Sequence, residues 1–571
     1  MISCDLYRRA VGALALVAGT SVSLAGTLPV TTIALTGTDG PLGPGMGPGV
    51  TFTSIGQHQP SINSSGGAAF RAVASNDASQ GMWIHAGVAN TNVVLGGGAM
   101  PGGGTYITGT SVVNSPQINN SGEWAFRMGA STGLFGTNSG TPTRVLLAGD
   151  TAPGTGGATY NTSATGMPLF NNAGHIGYIG SLTTGTGSPP VTITAPNANA
   201  NAIWTGTPGA TTLALRQNDA VTSIDPGGTV RVGAFQNLSL TMNGSGRFAV
   251  NSALQGSVTT GTGVGSNSAM ISSNRSGSLE VIARNGNAAP DATGAPSTDL
   301  YRSLGTSAVG FNNAGHVSFI SSLRDAAAVQ TSTSSLFTDA GSGTLRQVAR
   351  QGTSLPAIQN ANGTEFAGTS WSSFSNQVLT GADDLALTAS LTGAPTGWQN
   401  VLFTMDSATD TFSKIARSSN ATTPGDIAIV GGAPLGGDAY FTSFSSITMN
   451  TLGQVVFQAT LNGAGIAGGA GGNNSGLFAY VPGTGICLIA RTSDLFEVAP
   501  GDFRTISSLG GIAQSGGQDG RTQSLSESGL LAFELDFTDG SSGVFVTTIP
   551  TPGALALLGV SGLLATRRRR N

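Results

Sequence analysis

The feature that most limits what this chain can fold into is a motif, Asn-x-x-Gly-x-x-x-aromatic, repeated along nearly its whole length. It reads NSSGGAAF (Asn63, Gly66, Phe70), NNSGEWAF (Asn119, Gly122, Phe126), NNAGHIGY (Asn171, Gly174, Tyr178), NNAGHVSF (Asn312, Gly315, Phe319) and NTLGQVVF (Asn450, Gly453, Phe457). Weaker copies are NGSGRFAV at Asn243 and Gly246, TGADDLAL from Thr380, and SESGLLAF with Gly529 and Phe533, which makes eight. Successive glycine positions, with Asp383 standing in for the glycine of the TGADDLAL copy, lie 52 to 76 residues apart. A fixed period of this kind signals an array of equivalent units. An Asx-Gly turn followed by alternating apolar residues predicts a hairpin in which glycine takes φ > 0 and the aromatic faces a core. Each copy is expected to begin an inner strand.

Two further elements follow each copy. The first is a short apolar strand, seen as GMWI at Trp83, GLF at Phe135, AIW at Trp204, AMI at Met270, SLF at Phe337, VLF at Phe403, GLF at Phe478 and GVF at Phe545. The second is an apolar strand that often ends in Arg and then reaches a proline, with Arg216, Arg284, Arg350, Arg417 and Arg491 as its basic members. It follows only seven of the eight units. The last unit stops at GVFVTTIP (543–550), and the missing strand stands alone at the other end as IALTGTDGPLGPG (33–45). A repeat cut in this way is the layout of a ring closed by a shared blade, which removes free sheet edges. The sequence therefore predicts an all-β chain, an eight-bladed β-propeller over 27–550 in which Ile33–Leu35 pairs with the strand around Val544–Val546. A parallel β-helix would have much shorter coils. Tandem sandwiches would need longer independent units and give no reason for the split repeat.

Composition agrees with many short strands joined by turns: Gly is 88 of 571 residues and charged residues are only 9%. The formal net charge is −4, and six arginines lie at the two ends, so the body is more acidic still. With Lys414 the only lysine, no basic face for nucleic acid is expected. No CxxC or Cys/His cluster offers a zinc site, and no metal or cofactor is expected.

Residues 1–25, with Arg8 and Arg9 before a mostly apolar stretch and Ser23-Leu24-Ala25 at its end, have a signal-peptide layout. The C-terminal segment 551–571, just after Pro550, carries Thr551-Pro552, an apolar stretch expected to form a short helix, and Arg567, Arg568, Arg569 and Arg570. That order resembles the PEP-CTERM sorting signals that exosortases are thought to process, with Pro-Thr-Pro where that family has Pro-Glu-Pro. The resemblance implies an exosortase-type processing protease as a partner. A plain tail anchor in the membrane, with the arginines inside, is the other reading. The repeat copies also resemble a bacterial tandem-repeat family described by the NxxGxxxF motif and found with varied C-terminal anchors. That resemblance implies a surface protein and brings no catalytic residues.

Four histidines are present, and His175 and His316 share one repeat position, where a solvated strand start is expected. No Gly-x-Ser-x-Gly, His-Glu-x-x-His or Walker pattern occurs, so no catalytic residue is assigned. Asp39, Asp150, Asp219, Asp291, Asp494 and Asp502 near the proline corners are read as turn caps, with calcium at blade junctions as the alternative. The recurring arginines are read as structural, with anionic sugars as the alternative. The functional expectation is an exported structural or adhesive protein of the cell surface, outer membrane or extracellular matrix, contacting polysaccharide. The rival is a propeller-type polysaccharide hydrolase or lyase.

Overall fold

A computed structural model describes residues 28–551 apart from 57–58, 78, 110–111, 130–131, 166, 195–196, 222–228, 237–238, 257–267, 274–277, 306–308, 326–332, 362–364, 420–428, 431–432, 435–438 and 470. The leader and the tail from Pro552, including its expected helix and Arg567 to Arg570, lie outside the described residues. So do His58 and most of the glycine-rich insertion after Gln255.

The described chain forms the eight blades of a β-propeller, with sheets antiparallel except for a short parallel pairing of Ile358–Gln359 with Thr411–Arg417, and a 3-10 turn stands at Gly40–Leu42. The blades follow chain order, and the second strands of blades 1 to 8 are Ala68–Ala74, Trp124–Met128, Ile176–Leu182, Phe248–Gly256, Val317–Asp325, Leu385–Thr392, Val455–Asn462 and Leu530–Phe537; blade 1 shows the plan. Its inner strand, Phe52–Ile55 continued by Ser61–Ile62, pairs with the second strand Ala68–Ala74, then the third Gln80–His85 and the outer Asn90–Leu95. The motif turn lies between the inner and second strands, so the motif aromatic belongs to the second strand. This corrects the expectation that each copy opens the inner strand. The inner strand precedes the motif and is short or bulged, which weakens the alternation that would mark it in the sequence.

In six of the eight blades the motif aromatic stands directly opposite the aromatic of the third strand: Phe70 faces Trp83, Phe126 faces Phe135, Tyr178 faces Trp204, Phe319 faces Phe337, Phe457 faces Phe478 and Phe533 faces Phe545. Four of these pairs are stacked, with centroids 5.4–5.6 Å apart. Each contributes on the order of 1 kcal/mol beyond the burial of its area. Eight apolar clusters fill the ring, each joining the faces of two neighbouring blades, as with Phe441 and Phe457 of blade 7 against Val378 and Leu402 of blade 6. The TGADDLAL copy is a true unit, because Leu385–Thr392 is the second strand of blade 6.

The ring closes as the split repeat requires. Val30–Leu35 is the outer strand of blade 8, and Thr32, Ala34 and Leu35 pair with Phe545, Val544 and Gly543. Thr547 Oγ1 also donates to Pro29 O at 2.8 Å.

Candidate functional site: the axial channel and its rim

The rim of one face is built by the motif asparagines. Each is buried and works in two directions. Its Oδ1 accepts backbone N–H groups of its own turn, as Asn63 does from Ser65 (3.1 Å) and Gly67 (2.7 Å). Its Nδ2 donates to the equivalent carbonyl of the next blade: Asn63 to Asn119 O (3.0 Å), Asn119 to Asn171 O (3.4 Å), Asn171 to Asn243 O (2.7 Å), Asn243 to Asn312 O (3.1 Å) and Asn312 to Thr380 O (3.0 Å). Asn450 donates to Ser526 O (3.0 Å), and Ser528 Oγ donates to Ser64 O (2.8 Å) across the closing seam. Only Asn combines a local acceptor and a distant donor on so short a stem, which explains its recurrence. The fourth motif position needs φ > 0. It is glycine at 66, 122, 174, 246, 315, 453 and 529, and Asp383 at φ 70° in blade 6.

Asp383 brings a carboxylate to the rim. Its Oδ1 meets His316 Nδ1 at 2.7 Å and accepts from Asn312 Nδ2 at 2.6 Å, and its Oδ2 accepts from Gly341 N at 3.0 Å. Burial opposes ionisation there, but the hydrogen bonds from His316, Gly341 and Asn312 outweigh it and hold the carboxyl below its ordinary value. His316 is thus an inter-blade partner, where the sequence suggested a solvated strand start. His175 packs its ring against Gly246 of the next blade.

The channel itself is occupied. In blade 8 the inner strand Asp502–Leu509 leaves its sheet, and residues 514–524 run around the axis past every other blade before Leu525 rejoins by a bridge to Leu531. Gln514 Nε2 donates to Gln377 O of blade 6, and Ser515 O accepts from Met449 N of blade 7. Gln518 Oε1 accepts from Asn313 N of blade 5, Asp519 O from Met242 N of blade 4, and Gly520 O from Phe170 N of blade 3. Thr522 Oγ1 accepts from Gln117 Nε2 of blade 2, and Gln523 O from Ile62 N of blade 1. This girdle satisfies inner-strand N–H groups that face the axis, where an eight-bladed ring leaves room for a chain. Asp519 locks it by accepting from Ser515 Oγ (2.7 Å) and Arg521 N (3.2 Å). The sequence carried one trace of it: GGIAQSGGQDGRTQ (510–523) interrupts the last unit, which has the longest spacing.

The remaining sequence candidates serve the frame. Arg216 Nε donates to Asn199 O (2.9 Å), Arg491 meets Asp494 (2.6 Å), Arg350 meets Asp299, and Arg417 lies over the Trp398 ring (3.4 Å) beside Glu365 (3.0 Å). Asp150, Asp219 and Asp291 accept backbone N–H groups of their own turns. Pro550 O accepts from Gln454 Nε2 of blade 7 (3.0 Å), so the residue before the expected tail is tied to the ring, with Thr551 the last described residue. Among the described residues no cluster of three or more His, Cys, Asp or Glu could hold a metal.

Sequence reasoning missed one charged site. Where the girdle leaves blade 8 beside the break in blade 1's inner strand, a cavity of about 360 Å³ is lined by Ile55, Gly56, Gln59, Gly510, Gly511, Glu534 and Asp536. Glu534 is only 7% exposed, and its Oε1 has no hydrogen-bond partner. Burial, and then the charge of Asp536, raise its carboxyl well above the usual range, against a smaller opposing effect of Arg71.

One family model matches twice, over residues 17–295 and 130–556, and that overlap of two matches is what a repeated unit produces. The model is that of a family of unknown function, DUF7453. The chain belongs to this family. No curated protein matches this DUF7453 chain. Solved structures match the chain at low similarity. The Dos1 propeller is 8% identical over 90% of this chain and 95% of its own, with a TM-score of 0.33. Trypanosoma rangeli sialidase is 11% identical over 76% of this chain and 59% of its own (TM-score 0.26), and a Hadza microbial sialidase is 11% identical over 75% and 73% (TM-score 0.27). The DUF7453 chain therefore spans less than two thirds of the trypanosomal enzyme.

Proposed function

We propose that the chain is an exported protein of the cell surface or extracellular matrix whose propeller binds without reacting, with extracellular polysaccharide as its partner. Sorting by an exosortase-type protease, or anchoring in the membrane, is assigned to the C-terminal tail. The observation that carries the binding reading is the girdle. A propeller hydrolase or lyase needs carboxylates or a His/Arg set converging on an open axial site, and here residues 514–524 run around the axis, bond to all seven other blades and leave a cavity of only about 70 Å³ beside Gln518, Arg521 and Glu527. The charged groups of the girdle are engaged in holding it: Asp519 accepts from Ser515 and Arg521. The leader layout and the apolar tail with its arginine stop support export and anchoring. The test is a glycan array run beside a hydrolysis and lyase screen on the purified protein. Saturable glycan binding without turnover is the expected result. Turnover abolished by one carboxylate substitution would replace this reading with the hydrolase or lyase one.

A further inference from the structure

We infer that the cavity between blades 8 and 1 is a binding site for a sugar-sized ligand bearing a primary ammonium group, seated by Glu534 and Asp536. The inference gives the binding reading above a location and a ligand class, and rests on it.

The two carboxyl groups project from one face of the second strand of blade 8 (Leu530–Phe537), Glu534 at the buried end of the cavity and Asp536 at its exposed end. Arg71 of blade 1, whose charge acts on Glu534, has among its partners Gly56 O (3.3 Å), Val113 O (3.2 Å) and Asn114 Oδ1 (3.4 Å). A buried carboxyl oxygen without a partner is costly, and the compensating group must be a donor. An ammonium supplies three donors and a positive charge, which also offsets the repulsion between Glu534 and Asp536. Size favours a small organic ligand over a bare ion, because about 360 Å³ lies at the lower end of small-molecule pockets. Three glycines, 56, 510 and 511, line the wall and leave backbone close to the ligand. At Gly510 a Cβ would fall 2.8 Å from the Cβ of Glu534, so the strand and girdle meet here only through glycine. Gln59 offers an amide to the ligand's hydroxyls.

Burial and then the charge of Asp536 oppose ionisation of Glu534, and an ammonium seated beside it favours the carboxylate. Asp536 on the same strand and Arg71 from blade 1 are the charged groups that act on it.

The probe is D-glucosamine, titrated calorimetrically into the full-length protein, with D-glucose and calcium chloride as comparisons. Saturable binding of glucosamine, at least about tenfold tighter than glucose, is expected, on the scale of one charge-assisted hydrogen bond. Glu534→Gln should abolish that preference while melting no lower than the parent, since a neutral amide suits the burial better than a carboxylate. Equal affinity for glucose, no binding of either sugar, or displacement of glucosamine by calcium would overturn the inference. Array binding that survives Glu534→Gln would overturn this site and leave the surface reading standing. Glucosamine binding with a blank array would do the reverse.

Discussion

Replacing Asn243 separates the two tasks assigned to the motif asparagine. Its Oδ1 accepts from Ser245 N and Arg247 N, both at 3.1 Å, and its Nδ2 donates to Asn312 O of the next blade, also at 3.1 Å, from a side chain 1% exposed. Asn243→Ala removes both tasks. Water still reaches the turn amides but not the buried carbonyl, so the cost is about 3–4 kcal/mol. Asn243→Ser keeps the local acceptor, as the chain itself does at Ser526, whose Oγ accepts from Leu530 N (3.0 Å), and at Thr380, whose Oγ1 accepts from Asp384 N (3.2 Å). Only the bond to the next blade is lost, at about 1–2 kcal/mol. For roughly 520 residues melting together, the unfolding entropy near 2.1 cal/mol/K per residue makes each kcal/mol worth about 1 °C. Differential scanning calorimetry should therefore show drops of about 3–4 °C for the alanine variant and about 1–2 °C for the serine variant. Equal drops, or none for serine, would refute the staple between blades.

Asp519→Ala removes the acceptor for Ser515 Oγ and Arg521 N. It should cost about 2–3 kcal/mol and expose a tryptic cut at Arg521 that mass spectrometry finds in the variant and not in the parent. Asp384 has its carboxyl raised from 3.8 to about 6 by burial, then by Asp406 and Asp383. The folded state binds the extra proton between those values, so this group's contribution is fully present below the lower one and is lost as pH rises towards 6. Asp384→Asn should flatten that decline in a pH series of melting temperatures. A chain ending at Thr551 keeps the bonds of Ile549 and Pro550 to Gln454 and is expected in the culture medium. Mass spectrometry of the exported full-length protein reads whether Arg567 to Arg570 remain.

The sequence by itself determined the architecture, because the information is local. Gly at the fourth motif position marks a φ > 0 turn, the alternation after it marks a strand, and the pairing of Phe126 with Phe135 or Phe457 with Phe478 follows from hairpin register. The missing outer strand of the last unit and the orphan strand at 33–45 pointed to ring closure, since the last blade gains its outer strand only when the start of the chain is brought beside it. Tertiary structure alone decided what the motif asparagines do, because their donors reach carbonyls 52 to 76 residues away. It also decided that His316 meets Asp383, that residues 514–524 run around the axis, and that Glu534 faces a cavity opposite Gly56 and Gln59, nearly the whole chain length away in sequence. Local pattern encodes turns and faces. Which carbonyl, carboxylate or backbone break lies across a blade interface is set only when the ring closes and the first blade is brought against the last.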